Sequence, residues 1–213
     1  MRLGFLASYN GSSMRAIVHA CNQGMLDAVP MVVISNRSGS SALSFAESCG
    51  LRTEIIHQTR YAPYASEDEA ICATLKEAEV DVVVLSGYMR KLGQHTLLAY
   101  RDCILNVHPA LLPKYGGKGM YGLHVHEAVI AAGETETGAT IHLVDEEYDH
   151  GRILAQRALS VQPGDTPETL AERVKALEAT LFVEVLQAWS RARDGGANGS
   201  SNGSSNGNTP RLQ

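Results

Sequence analysis

The sequence predicts an α/β fold: a doubly wound, mostly parallel sheet with an antiparallel C-terminal part. Three observations carry this. Strand and helix signals alternate from the N-terminus to His108. In "VDVVVLSG" the apolar run Val82–Leu85 leaves no polar face, as expected of a central strand covered by helices on both sides. Later, "GATIHLVDEEYDHGRILAQRALSV" alternates rather than runs, with Ile141 and Leu143 on one side and Thr140 and His142 on the other. That pattern fits antiparallel strands joined by an acidic turn.

The elements follow in order. "RLGFLA" is a short apolar strand ending in a polar loop, and "SSMRAIVHACNQG" is a helix with Ser12 or Ser13 as N-cap and Gly24 just past its end. "PMVVIS" is a buried strand, "SALSFAESCG" a short helix closed by Gly50, and "TEII" a third strand. Ser66 and Glu69 have the spacing of a capping box for the next helix. After the Val82–Leu85 strand, a short helix near "GQHTLLAY" leads into the strand "CILNVH", stopped by Pro109. A glycine-rich stretch precedes a helix starting near His124. Thr166 caps, and Pro167 opens, a long helix with Leu170, Val174, Leu177, Leu181 and Val185 as its core-facing stripe.

Residues 1–193 are long enough for one substantial domain. Residues 194–213, almost all Gly, Asn and Ser, lack the apolar surface to offset ordering entropy and read as a flexible tail. A net charge of −5 and a pI near 5.9 argue against a nucleic-acid surface. No segment reaches membrane-spanning length, and the N-terminal apolar run is too short for a signal peptide. The cysteines at 21, 49, 72 and 103 lack metal-site spacing and read as small apolar residues of a reducing, cytoplasmic protein. Oligomeric state, monomer or homodimer, stays open.

In a sheet of this kind ligands bind outside the carboxyl ends of the strands, where the loops 8–13, 86–92 and 106–113 fall. Asn106 and His108 are two apart on one strand, so an amide and an imidazole face one place: a catalytic pair, or a polar strand end meeting water. "SYNGSS" opens a helix, and its Asn10, Gly11, Ser12 and Ser13 form either an anion cradle or an ordinary capped turn. The loop is neither a dinucleotide fingerprint nor a Walker loop. His124 and His126 diverge on a helix and have no further ligand at metal spacing, so no metal is expected. Of the acidic-turn residues, Asp145, Glu146 and Glu147 read as solvated. Asp149 is singled out because Gly151 permits a sharp path that aims a carboxylate into a cleft.

"NGSS", "DVVVLSGYMRKL", "ILNVHPALLPKY", "GLHVHEAVIAAGETETGATIHLVDEEYDHGRILAQ" and "GDTPETLAERVKALE" stand in one order that resembles the phosphoribosylglycinamide formyltransferases, a folate-dependent family of purine synthesis. The resemblance covers about residues 2–190. It implies transfer of the formyl group of 10-formyltetrahydrofolate to the amine of glycinamide ribonucleotide, without metal. It further implies that Asn106, His108 and Asp149 are the catalytic trio and that Asp149 raises the pKa of His108. By the same resemblance Asn10, Gly11, Ser12 and Ser13 hold the ribonucleotide phosphate, and Glu178 contacts the glycinamide. Met89, Arg90, Lys91 and Leu92, with Asn106, receive the pterin.

The chain departs from the family pattern in places. Tyr9 stands for a glycine and Ser13 for an asparagine, while Tyr64 stands where some members have a folate-contacting arginine. The contact to the folate tail then falls to Tyr64 or to Arg60. The longer loop "YGGKGMYG", with Lys118, is either a lid or a surface loop. The rival functions are hydrolysis of 10-formyltetrahydrofolate, formyl transfer to another phosphorylated amine, and a non-catalytic phosphate-binding module. The first two usually carry a further regulatory or C-terminal domain, and the last needs no trio.

Overall fold

The computed structural model describes residues 1–59 and 64–197. In chain order the elements are β1 (Arg2–Leu6), α1 (Ser12–Asn22), β2 (Val29–Ser35), α2 (Ser41–Ser48), β3 (Arg52–Ile55), α3 (Tyr64–Glu77) and β4 (Val82–Leu85). They continue with α4 (Gln94–Ala99), β5 (Ile104–His108), α5 (Leu123–Ala131), β6 (Glu136–Leu143), β7 (Ile153–Ser160) and α6 (Pro167–Ala197). One seven-stranded sheet has the order β3-β2-β1-β4-β5-β6-β7. Strands β1 to β5 pair in parallel, whereas β5–β6 and β6–β7 are antiparallel, as predicted.

The uninterrupted apolar run of β4 is explained by what covers each face. Val82 and Val84 pack with Phe5, Met14, Ile17 and Phe182 in the layer formed by α1, α2 and α6. Val83 and Leu85 pack with Ile71, Leu75 and Tyr100 on the opposite side, under α3 and α4. Each such side chain fully removed from water contributes about 1.5–3 kcal/mol. On α6, Leu170, Val174, Leu181 and Val185 are buried and Leu177 partly so, which is the expected stripe. The helix is capped as read: Thr169 N donates to Thr166 Oγ1 at 3.3 Å.

Four local expectations change. Helix α1 is capped by Gly11 in the left-handed conformation (φ 62°), with no side-chain cap bond, so Ser12 and Ser13 lie inside it. Helix α3 starts at Tyr64, which puts Ser66 in the first turn rather than at the N-cap. Helix α6 continues to Ala197, four residues into the expected tail; residues 198–213 lie outside those described. Strand β6 is buried on both faces, Thr140 and His142 included, because it is interior in the sheet and its polar face meets the loop after β5. Among the described residues no helix is long and apolar enough to cross a membrane.

Candidate active site

Strand β1 lies between β2 and β4, so the chain leaves its carboxyl end toward opposite faces on either side of a crevice. The loops after β1 and β4 are stitched together there. Ser8 N donates to Gly87 O at 3.1 Å, Met89 N to Ser8 Oγ at 2.8 Å, and Met14 N to Ser86 Oγ at 3.0 Å. Above them opens a cleft of about 810 Å³ that brings together Asn10, Gly11, Ser12, Ser13, Met89, Arg90, Asn106, His108, Asp149 and Glu178. A smaller recess of about 80 Å³ adjoins it through Asn106 and Asp149 and adds Lys91, Leu92 and His142.

Asn106 and His108 end β5 on the same side, and antiparallel pairing sets His142 opposite Asn106. His142 Nδ1 donates to Leu143 O (2.8 Å), which leaves the Nε2 lone pair of the neutral ring to accept from Asn106 Nδ2 (3.1 Å). Asp149 Oδ1 lies 3.5 Å from that Nε2, and Asp149 Oδ2 lies 3.4 Å from His108 Nδ1. On its other side His108 donates from Nε2 to Tyr115 O at 2.6 Å, and Gly117 N donates to Asp149 Oδ2 at 2.9 Å. The imidazole of His108 is thus held between a carbonyl and a carboxylate. Both holders, Tyr115 (φ 56°) and Asp149 (φ 57°), are left-handed residues with side chains, a conformation that costs of order 1–2 kcal/mol.

Electrostatics revise one expectation. Burial pushes the pKa of His108 down, and the opposing pull of Asp149 and the Tyr115 carbonyl does not restore it, so its net direction is below the ordinary histidine value. The expected rise from Asp149 exists as a component and is outweighed. For Asp149, burial acts upward, but the His108 ring and the Gly117 amide outweigh it and hold the carboxyl below its usual range. Burial drives Glu178 up to about 7, against the opposing charge of Lys175.

At the other end of the cleft, Gly11 leaves the Ser12 and Ser13 amides of α1 without a side-chain cap, that of Met14 being taken by Ser86 Oγ, and Lys175 adds a cation to the lining. Tyr9, the departure from glycine, is exposed at the rim, with the Arg37 guanidinium stacked 4.6 Å from its ring centroid. The long loop contributes Gly117, Lys118, Gly119 and Tyr121 to the lining, so it borders the cleft. Asp145, Glu146 and Glu147 are solvent-exposed, as read. The Tyr64 side chain and all of Arg60 lie outside the described residues. His124 is exposed and His126 buried, and among the described residues no group of three or more His, Cys, Asp or Glu is placed to hold a metal.

Sequence reasoning missed His142, Lys175 and the Tyr115 carbonyl. His142 was visible as a polar residue of β6, but its role needs the β5–β6 register. Gly151 matters for a different reason from the one expected: a Cβ there would fall onto the backbone oxygen of Leu143. Gly151→Ala is therefore expected to destabilise the fold by about 1–3 kcal/mol through forced backbone displacement, read as a lower urea midpoint at unchanged m-value. An unchanged midpoint would show that the turn yields freely.

A cleft at the carboxyl ends of a doubly wound sheet, with an amide, an imidazole and a carboxylate joined at one wall, matches a known class. Residues 1–186 match the Formyl transferase family, and the chain belongs to it. Within that family its similarity is to phosphoribosylglycinamide formyltransferases. It is 40% identical over 192 residues to the chloroplastic phosphoribosylglycinamide formyltransferase of Vigna unguiculata, covering 90% of this chain and 62% of that protein. A solved glycinamide ribonucleotide transformylase 1 from Symbiobacterium toebii superposes with a TM-score of 0.85 at 32% identity, covering 91% of this chain and 89% of that one. The phosphoribosylglycinamide formyltransferase of Coxiella burnetii gives 0.83 at 37% identity, covering 91% and 88%. The chain spans just under two thirds of the length of the curated plant relatives it matches.

Proposed function

We propose that this chain transfers the formyl group of 10-formyltetrahydrofolate to the primary amine of glycinamide ribonucleotide, a step of purine synthesis. The observation that carries the reading is one cleft with two differently equipped ends. The Asn106–His108–Asp149 wall is built for acyl chemistry, and the open α1 N-terminus with Lys175 is built for a phosphate. The names of the similar proteins agree with it. The folate lies toward the recess lined by Arg90, Lys91 and Leu92, with Met89 in the wall of the adjoining cleft.

In this reading the amine lone pair attacks the formyl carbon and its C=O electrons move to oxygen. The remaining N–H of Asn106 Nδ2 and a proton on His108 Nδ1, the ring nitrogen not engaged by Tyr115 O, stabilise that oxyanion. The amine's proton passes by way of the His108–Asp149 pair to N10 of the folate as the C–N10 bond breaks. Tetrahydrofolate and the N-formylated ribonucleotide result. His142 holds the Asn106 amide with its nitrogen end fixed. We place the activity in a reducing cytoplasmic setting, in keeping with four free thiols.

The test mixes the purified protein with 10-formyltetrahydrofolate, with and without glycinamide ribonucleotide, and follows both folate and formylated product. Folate turnover that depends on the ribonucleotide, one product per folate, is expected. Equal folate consumption without ribonucleotide would instead establish hydrolysis.

A further inference from the structure

His126 has no part in the mechanism above, yet it stands in the wall of the same cleft. It is 4% exposed and lines the cavity, and among the described residues no hydrogen bond reaches its ring, Nδ1 being buried without a partner. Buried polar groups in folded proteins are nearly always paired, so an orphan in a well-packed wall calls for a reason. Its neighbours on the helix, Val125 and Val129, are buried and apolar, and an apolar side chain at 126 would remove the unpaired group.

The tautomer follows from the enclosure. A buried N–H without an acceptor is costlier and rarer than a bare lone pair, so the proton belongs on Nε2, the nitrogen left to face the cleft. Burial, and then the charge of His108, disfavour a second proton on this ring. The residue is therefore an uncharged donor whichever form His108 takes. Its position selects a ligand. Helix α5 packs on α6 through Val129, Leu170 and Val174, and Lys175 and Glu178 of α6 line the same cleft. The lining of the folate-side recess contains no residue of α5.

We propose that His126 is a substrate-binding residue that donates from Nε2 to an uncharged oxygen, hydroxyl or carbonyl, of the amine substrate. Charged groups of that substrate have other partners in the cleft: the α1 amides and Lys175 for an anion, Asp149 and Glu178 for a cationic nitrogen. The inference rests on the formyl-transfer reading and adds to it a contact on the nucleophile side.

His126→Leu and His126→Gln, beside the wild type, test it by steady-state kinetics and thermal melting. The leucine variant is expected to raise KM for glycinamide ribonucleotide about tenfold, the worth of one neutral hydrogen bond, with KM for the folate unchanged. It should melt no lower than wild type, because it removes a buried orphan. Glutamine, whose amide nitrogen reaches the place of Nε2, should recover most of the binding. An unchanged ribonucleotide KM in the leucine variant, or a rise confined to the folate, overturns the role of His126 and leaves the formyl-transfer reading standing. A wild type that formylates no ribonucleotide overturns both.

Discussion

His108→Ala is expected to lower kcat by about 10³-fold, while the affinity for glycinamide ribonucleotide changes only severalfold. Two contributions disappear together. Loss of one preorganised donor to a developing oxyanion costs about 10²–10³ in rate, and loss of a positioned acid–base group about 10²–10⁴. They share one side chain and act at one step, so they do not multiply. The end of the cleft proposed for the phosphate, at Gly11–Ser13 and Lys175, lies on other elements and is untouched. Turnover in single-turnover mode and binding by calorimetry separate the two effects. Equal losses in both, or turnover within tenfold of wild type, would remove His108 from the chemistry.

The alanine variant also bears on folding. His108 is buried and bonded to Tyr115 O, so the carbonyl that orders the long loop loses its donor. A buried acceptor left unpaired costs about 1–3 kcal/mol. His108→Gln, which offers an amide donor, distinguishes a stability loss from a chemical one. It should fold as wild type does and remain slow, since an amide neither gives nor takes a proton at neutral pH.

How far the site was legible follows from the kind of information each residue needs. Asn106 and His108 share a strand, and the period of two is local, so their common facing could be read directly. The doubly wound sheet was equally legible, because β4 has no polar residue to show to water and alternation of element types sets the connections. Asp149 was singled out locally beside Gly151, but its grouping with Asn106 and His108 came only by family resemblance, since nothing local ties the acidic turn to β5. His142 was out of reach, because its partnership with Asn106 is a fact of antiparallel register. The cap of α1 was misread because serine is the commoner cap, whereas this chain uses Gly11 at positive φ and leaves the Ser12 and Ser13 amides uncapped. The direction of the His108 shift depends on how deeply β5 is covered, and burial is a tertiary property that residue pairing does not disclose.

Asp149→Asn is the substitution that isolates charge at this site. Asparagine tolerates the left-handed backbone that Asp149 adopts, and its amide oxygen can still accept from Gly117 N, so the turn survives. Alanine would add strain at φ 57° and confuse the result. What the amide lacks is the negative charge 3.4 Å from His108 Nδ1. The sign follows from the pair. A carboxylate favours the imidazolium, so its removal pushes the pKa of His108, already below the ordinary value through burial, lower still. The proton that should bridge amine and N10 is then held less often, and kcat is expected to fall by about 10²–10⁴. The limb of the pH–rate profile that reports imidazolium at His108 should move to lower pH, as should the His108 ring signals in an NMR titration. A limb that stays in place, or one that moves upward, would show that Asp149 does not govern the proton on His108. The carboxylate would then serve only to hold the loop through Gly117.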